Sequence, residues 1–529
     1  MEYLNTASKS ISIHNAVQLT GLIQHRLTDI YKRSTKNELM FIGAATFFAL
    51  YHLPNCFKSR KKKLNLPPKV PFALPFFGHS LYLIVWPCKF LDWCHQKYGD
   101  IYTLNMLGKT ITIAGGKSAE ESMAAESSDM SLDHGVLRDI LHFDYLFDET
   151  TMYIGVYVTA TVAKFSLANA RMPMYEADLR RGMANACERY LSSPTTVIEH
   201  PMAFFQNFVS YMSVPVLLGA EFSLNTEVIE SFANCTADIT RNVVFYMMTP
   251  NSLHKKVLPY IQSSQKHLNC MIKHVAPAIY ERREKMRLGE LSGQEHGLVE
   301  NFLQGVIEYV QTDENGVESY CSAEQISKSI LLVAFASVHT TSINLSFSLH
   351  WLLARPDLMK KMMDEIEQVI PGDTEITGEA LSKMKFLNNF MREVLRQGAD
   401  KLGVSKKAMS DFTFSNGYQI PEGRLVNHNL RQMNFGDNST RTRVNEMDPD
   451  MSRDKISTAP GKNFASFGLG KHLCPGRFFA IQEIQTTLVY LLKNYEIKTA
   501  SGKPPVPVQR TLGFIATSPE EPLIFTRKN

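Results

Sequence analysis

Near the C-terminal end, apolar or ring positions Phe478, Ile481, Ile484, Leu488, Leu491 and Tyr495 recur at helical spacing. That spacing predicts an amphipathic helix with one face on a core. A second pattern runs from Ser329 to Ala354, 26 residues without Asp, Glu, Lys or Arg, bounded by Lys328 and Arg355. Ser322 with Gln325 three later predicts a capping-box start to this helix. Its length admits a membrane span, but His339, Thr340, Thr341, Ser342 and Asn344 crowd its middle, the costliest place for polar groups in lipid. The run therefore predicts a helix of roughly 50 Å through the centre of a large globular domain.

Weaker patterns fill in the rest. Trp86 to Tyr98 predicts a helix ended by Gly99-Asp100. Ile101–Met106 and Lys109–Ala114 alternate around Leu107-Gly108 and predict a β-hairpin. Residues 117–320 carry mostly helical pattern, with Glu281 to Arg287 read as a solvated face. Phe386 to Arg396 predicts another helix, placing Glu393 and Arg396 at i, i+3 where they can pair.

At the other end, Leu39 to Leu53 is an uncharged, mostly apolar run extended by Pro54 and Phe57. It is shorter than the ~20 residues a span usually needs, yet is read as a single anchor. Lys58, Arg60, Lys61, Lys62 and Lys63 follow and place that side in the cytosol, an asymmetry weakened by Lys32, Arg33 and Lys36. Pro67, Pro68, Pro71 and Pro75 predict a stiff linker. The expected organisation is an N-terminal segment 1–37, an anchor 38–57, a basic and proline-rich hinge 58–78, and one catalytic domain 79–529.

Composition adds exclusions. With 44% apolar and 20% charged residues and a net charge of +4, nothing points to nucleic acid. Eight cysteines are scattered without CxxC pairs, so neither a disulfide framework nor a zinc site is expected, and a reducing cytosolic setting is favoured.

One cysteine stands apart. In Phe464-Ala-Ser-Phe-Gly-Leu-Gly-Lys-His-Leu-Cys-Pro-Gly-Arg477, Cys474 lies just before the C-terminal helix. Unpaired backbone N–H groups and the helix dipole favour an anion there, an environment for a thiolate. Gly468, Gly470 and Gly476 let the backbone pass close to something flat and bulky. A lone cysteine before a helix is ordinarily a small buried hydrophobe. The ordered set Phe467, Gly470, His472, Cys474 and Gly476, however, resembles the haem-binding signature of the cytochrome P-450 superfamily.

The resemblance implies haem b (iron protoporphyrin IX) with Cys474 as the axial ligand of iron. Two other segments share it. Ala336-Ser-Val-His-Thr-Thr341 is similar to the family's oxygen-activation segment, with Ser337 and His339 where a glycine and an acid usually stand and Thr340 retained. A hydroxyl beside a titratable group can deliver protons, and histidine does so near neutral pH. Glu393 and Arg396 resemble the family's ExxR pair, a structural lock beneath the haem. Lys406 to Gly423 resembles the strand and turn that follow, and implies that Lys406, with Lys407 as fallback, meets a haem propionate; His472 is expected to do likewise. Two departures stand. The register of Asp448 to Arg453 against the family's meander is ambiguous. No Trp-x-x-x-Arg occurs, which leaves Tyr157, Lys164 or Arg171 as substitutes.

The fold expected from the resemblance is mainly α, the P-450 fold with a small β portion, behind an N-terminal transmembrane helix. The function it implies is insertion of one oxygen atom from O2 into a small lipophilic substrate of sterol, terpenoid or fatty-acid type. NADPH–cytochrome reductase would supply the electrons, with cytochrome b5 as a second donor, docking on the basic face around Lys471 and Arg477. A single-pass protein of the endoplasmic reticulum membrane with a cytosolic catalytic domain follows. The rivals are a haem-thiolate isomerase or dehydratase needing no O2, and a non-catalytic haem- or lipid-binding relative.

Overall fold

The computed structural model describes residues 64–528, apart from 76, 250, 262, 293–296, 313–315, 436–445, 453–454, 462 and 512–514. The N-terminal segment, the anchor, the basic start of the hinge and Arg453 lie outside the described residues.

Helix α1 (Pro87–Tyr98) opens on proline, whose fixed φ suits a first turn, and stops at Gly99 with φ 79°. Strands β1 (Ile101–Met106) and β2 (Lys109–Ala114) form the expected hairpin, from the pair Ile101–Ala114 to the pair Met106–Lys109. Leu107 and Gly108 at its tip have φ of 47° and 80°, the positive values that match the twist of the flanking strands. The proline-rich stretch is no free spacer. Pro68 accepts the Thr103 N–H at 2.8 Å and Val70 donates to the Thr103 carbonyl at 3.0 Å, so this stretch lies along β1.

The elements that carry the argument continue with α2 (Gly116–Ala124), β3 (Met130–Ser131) and α3 (Thr159–Ser166). Next come α4 (Pro201–Leu217), α5 (Thr226–Thr240), α6 (Gln265–Ser292) and α7 (Ala323–Ala354). Then follow α8 (Lys385–Gly398), β4 (Leu402–Ala408), β5 (Leu425–Asn429), α9 (Leu430–Phe435) and α10 (Arg477–Asn494). The main sheet has the order β1-β2-β5-β4-β3. In it β5 runs parallel to β2, Leu425 opposite Ile111, and antiparallel to β4. Smaller sheets, one of three strands and three of two, accompany it among the described residues, and the rest of the regular structure is helical.

Helix α7 is the axis. The Ser322 hydroxyl accepts the Gln325 N–H at 3.1 Å, the cap expected from the sequence. Its flanks meet α4, α5, α6, α8 and α10. Leu331, Leu345 and Leu349 join Phe205, Phe208 and Met212 of α4 and Leu488 and Leu491 of α10 in one buried cluster. Each such side chain contributes about 1.5–3 kcal/mol by burial. A helix buried on most sides must be apolar on most sides, and so its composition mimics a membrane span.

The charged run in α6 splits. Glu281–Lys285 and Glu284–Arg287 form exposed pairs on a solvated face. Arg282 instead turns inward, donating to the Leu218 carbonyl at 2.7 Å and to Glu221 at 2.5 Å. A helical turn brings one position of any such run onto the covered face.

Candidate functional site

The loop before α10 is tied at both ends. The Cys474 N–H donates to the Phe467 carbonyl at 3.0 Å. Gly468 and Gly470 adopt φ of 78° and 67°. A Cβ at Gly470 would fall 2.9 Å from the Ala124 Cα, so any side chain would lift the loop off α2. The Cys474 sulfur faces the N–H groups of Gly476 and Arg477 and the Arg477 guanidinium. These favour the thiolate, but burial outweighs them and pushes the thiol above its ordinary range. A bound metal cation would supply the charge needed to remove this proton.

Around the C-terminal end of α2 the structure gathers cations. Lys406 Nζ donates to the Met123 carbonyl at 2.9 Å and the Ser122 carbonyl at 3.2 Å. His472 Nε2 lies 3.0 Å from the Ala125 carbonyl, and Lys471 pairs with Glu126. Basic groups suit the last carbonyls of a helix. Lys406, however, is buried with no carboxylate facing it among the described residues, and burial alone pulls its pKa down to about 8. It keeps a third N–H to donate. His472 is also held low, by burial first and then by Lys406, with Lys164 of α3 adding to the effect. Arg477 Nε is buried without a partner among the described residues. This corner has an excess of positive charge and fits a group bearing carboxylates.

Of the three substitutes for the missing Trp-x-x-x-Arg, Lys164 shares a groove with Gly470, Lys471, Leu473 and Arg477. Arg171 instead pairs with Glu300 at 2.5 Å, and Tyr157 faces Ser131. Lys407 turns to Asp139 at 2.9 Å, which leaves Lys406 as the better placed of that pair.

On α7, one strip near the middle stays accessible although most of the helix is buried or half-buried. Val333, Ala336, Ser337, Thr340 and Asn344 face open space, while Val338, Thr341, Ser342 and Leu345 are covered. An accessible strip on a core helix marks a cavity beside it. The Thr340 hydroxyl donates to the Ala336 carbonyl at 2.8 Å, and Ser337 to the Val333 carbonyl at 2.8 Å. Both bonds leave the hydroxyl oxygens free to accept. His339, one position earlier, points elsewhere: its Nδ1 is 3.2 Å from Gln206 Nε2 on α4. Burial, then Lys401, lowers its pKa, so the ring stays neutral further into acid than an ordinary histidine. Among the described residues no hydrogen bond joins the His339 and Thr340 side chains.

Beneath the cysteine loop, Arg396 Nε and Nη2 grip Glu393 at 2.8 and 2.5 Å, both residues fully buried. The same guanidinium reaches the Glu446 carbonyl at 3.1 Å and lies 4.5 Å from the Phe435 ring centre. The Asp448 N–H points to Glu393 at 3.3 Å. Asp448 thus contributes its backbone to this corner. Ser466 bonds the Leu395 carbonyl at 3.1 Å, and Asn434 of α9 accepts the Ala465 N–H at 3.0 Å. The pair and the cysteine loop form one connected unit.

Sequence reasoning missed Gln206, Asn434 and Glu483. For the first two no signal exists, since each meets its partner across a long stretch of chain. Glu483 had one: an acid among apolar neighbours of α10. It is fully buried, accepts from Ser213 at 2.7 Å, and burial raises its pKa to about 8.

Comparison with known proteins agrees with this geometry. A family model described as Cytochrome P450 matches residues 68–525. The chain is 23% identical to cytochrome P450 monooxygenase 103 of Postia placenta over 454 residues, 81% of this chain and 88% of the relative. It is 29% identical to cytochrome P450 monooxygenase ntnM of a Nectria species, over 64% of this chain and 63% of the relative. With cytochrome P450 monooxygenase atmQ of Aspergillus flavus it shares 26% identity, over 55% of each.

Proposed function

Because this chain belongs to the cytochrome P450 family and is a haem-thiolate monooxygenase, we propose that Cys474 is its axial thiolate and that Thr340 and His339 serve proton delivery. The observation that carries this reading is the placement of Cys474. Its sulfur sits at the N-terminus of α10 against the Gly476 and Arg477 N–H groups, in a glycine loop that a side chain would lift off α2. Haem supplies oxygen activation when bound; the chain's own residues hold, orient and feed it.

Holding falls to Lys406 and Lys164, whose positive charge suits the two haem carboxylates, with His472 beside them as a neutral N–H donor. Phe467, Gly470 and Gly476 shape the backbone beneath the ring. Glu393 and Arg396 keep the loop in register through Ser466 and the Glu446 carbonyl. On the α7 side, Thr340 Oγ1 accepts a proton from water in the cavity and passes its own onward, breaking its bond to Ala336 as it does so. The neutral His339 ring, oriented by Gln206, is a proton acceptor at the back of the helix. Ala336, Val333 and Phe335, with Phe143 edge-on to Phe335 at 5.1 Å, give the cavity an apolar wall. Such a wall suits a lipophilic substrate of sterol, terpenoid or fatty-acid type.

Electrons come from NADPH through a cytochrome reductase, with cytochrome b5 as second donor, docked near Arg477; Lys471 is partly neutralised by Glu126. An anchor at 38–57 would hold the enzyme on the endoplasmic reticulum with the domain in the cytosol.

The test is the carbon monoxide difference spectrum of the reduced, haem-loaded protein. Wild type should give the red-shifted Soret band of thiolate ligation and Cys474→Ala should lose it. Survival of the band in the variant removes Cys474 as ligand. Thr340→Ala should raise peroxide release relative to product, and unchanged coupling would take Thr340 out of proton delivery.

A further inference from the structure

Helices α5 and α6 run antiparallel, and polar groups line much of their seam. Glu227, in the first turn of α5, meets Lys273 and His274 of α6. One turn on, Ser231 meets His267 Nδ1 at 2.8 Å, and His267 Nε2 lies 3.1 Å from Asp238. Within this seam, Cys270 and His274 stand four apart on α6 and so share one face. Glu227 reaches the same point from α5. One donor atom from each, a sulfur, a ring nitrogen and a carboxylate oxygen, lie within 4.8 Å of one another.

We propose that Glu227, Cys270 and His274 bind a divalent transition metal of the zinc class and thereby tie α5 to α6. The donor set chooses the metal. A thiolate with an imidazole favours zinc and its neighbours over calcium or magnesium, which take oxygen ligands. Three protein donors with an accessible edge at Glu227 leave a fourth tetrahedral position for water. Donors around zinc sit about 3.5 Å apart, so side-chain rotation of an ångström or so closes the site.

The carboxylate already holds positive charge at this point. His274 Nε2 lies 2.9 Å from Glu227 Oε2, and Lys273 Nζ lies 2.8 and 3.1 Å from the two oxygens. The metal takes the Nε2 position that faces Glu227, the ring proton moves from there to Nδ1, and the Cys270 thiol gives its proton to solvent. Lys273 swings outward. Asn225 Nδ2 donates to His274 Nδ1 at 3.1 Å in the metal-free arrangement. With a metal on Nε2 that ring nitrogen carries the proton, so the Asn225 amide must turn its oxygen to accept it, giving up its bond to the Val228 N–H. Cysteine spacing alone hides this site, because its third ligand stands on another helix. Since both helices lie on α7, the ion would brace the wall behind the catalytic helix.

The test uses full-length, haem-loaded protein in detergent, equilibrated with zinc chloride and dialysed against metal-free buffer. A single retained zinc is expected, with a sulfur neighbour at about 2.3 Å in its X-ray absorption fine structure. Cys270→Ser and the more exposed Glu227→Gln should each lose at least tenfold in zinc affinity with the haem spectrum unchanged. Lys273→Ala should gain about two- to fivefold, the scale of a released surface pair. Zinc that is not retained, that has no sulfur neighbour, or that binds Cys270→Ser and Glu227→Gln as tightly as wild type overturns the proposal.

Discussion

Two buried corners beneath the cysteine loop hold charge in opposite ways. At α8 the Arg396 guanidinium has its carboxylate, a backbone carbonyl and an aromatic face, all supplied by the chain. At the end of α2 Lys406 has carbonyls but, among the described residues, no carboxylate, and its pKa falls to about 8. A buried charge without a counter-charge is costly. The first corner is therefore complete in the protein itself, and in the function proposed above the second is completed by the haem carboxylates. Chemistry that looks alike in sequence, a basic residue near the haem signature, divides into scaffold and receptor.

The comparison breaks most sharply at the complete corner. Arg396→Ala leaves Glu393 buried and unpaired and should remove about 3–5 kcal/mol from the folded domain. Denaturant unfolding measures this, and a loss below about 1 kcal/mol would show that the corner is not a self-sufficient unit. At the other corner the sign reverses. Lys406→Met should leave the haem-free chain as stable as wild type or more so, yet speed haem loss to an acceptor protein about tenfold or more, the scale of one charge-assisted bond. A destabilised haem-free chain with unaltered haem retention would make Lys406 scaffold instead.

Glu483 sharpens the comparison as a third solution, a buried acid kept neutral. Its folded pKa of about 8 lies above the ordinary carboxyl range, so between those values the folded state holds a proton that the unfolded chain has lost. Its contribution is present in full below the ordinary carboxyl value and disappears as pH climbs to about 8, at roughly 1 kcal/mol per pH unit. Glu483→Gln should flatten that slope in a stability–pH series; an unchanged slope assigns it to other groups. The smallest effect belongs to the exposed pair Lys471–Glu126. Lys471→Ala should leave the unfolding midpoint unmoved and change only the salt dependence of reductase turnover.

What could be read from sequence follows the same division. The helix after Cys474, the Ser322 cap, the hairpin turn and the Glu393–Arg396 spacing are local, so periodicity and turn chemistry reach them. Gln206 beside His339, the Ser122 and Met123 carbonyls on Lys406, and the Ala125 carbonyl at His472 join residues far apart in the chain. No local pattern encodes such a meeting. Family resemblance named Lys406 and His472 but could not say that α2 already holds both. Likewise, the proline run reads as a spacer until β1 is seen to bond it.

Helix α7 has a consequence for the newborn chain. During synthesis it leaves the ribosome while α10, which covers one of its flanks, is still about 120 residues away. At ordinary elongation rates that interval is roughly ten seconds. For that time a helix that satisfies the length and hydropathy of a membrane segment still lacks the partner for one of its flanks. The hydroxyls, histidine and asparagine at its middle then matter before any catalysis begins, because they make lipid a poor destination. The same polar groups that sit along and behind the accessible strip of the finished helix thus disfavour lipid while the chain is unfinished.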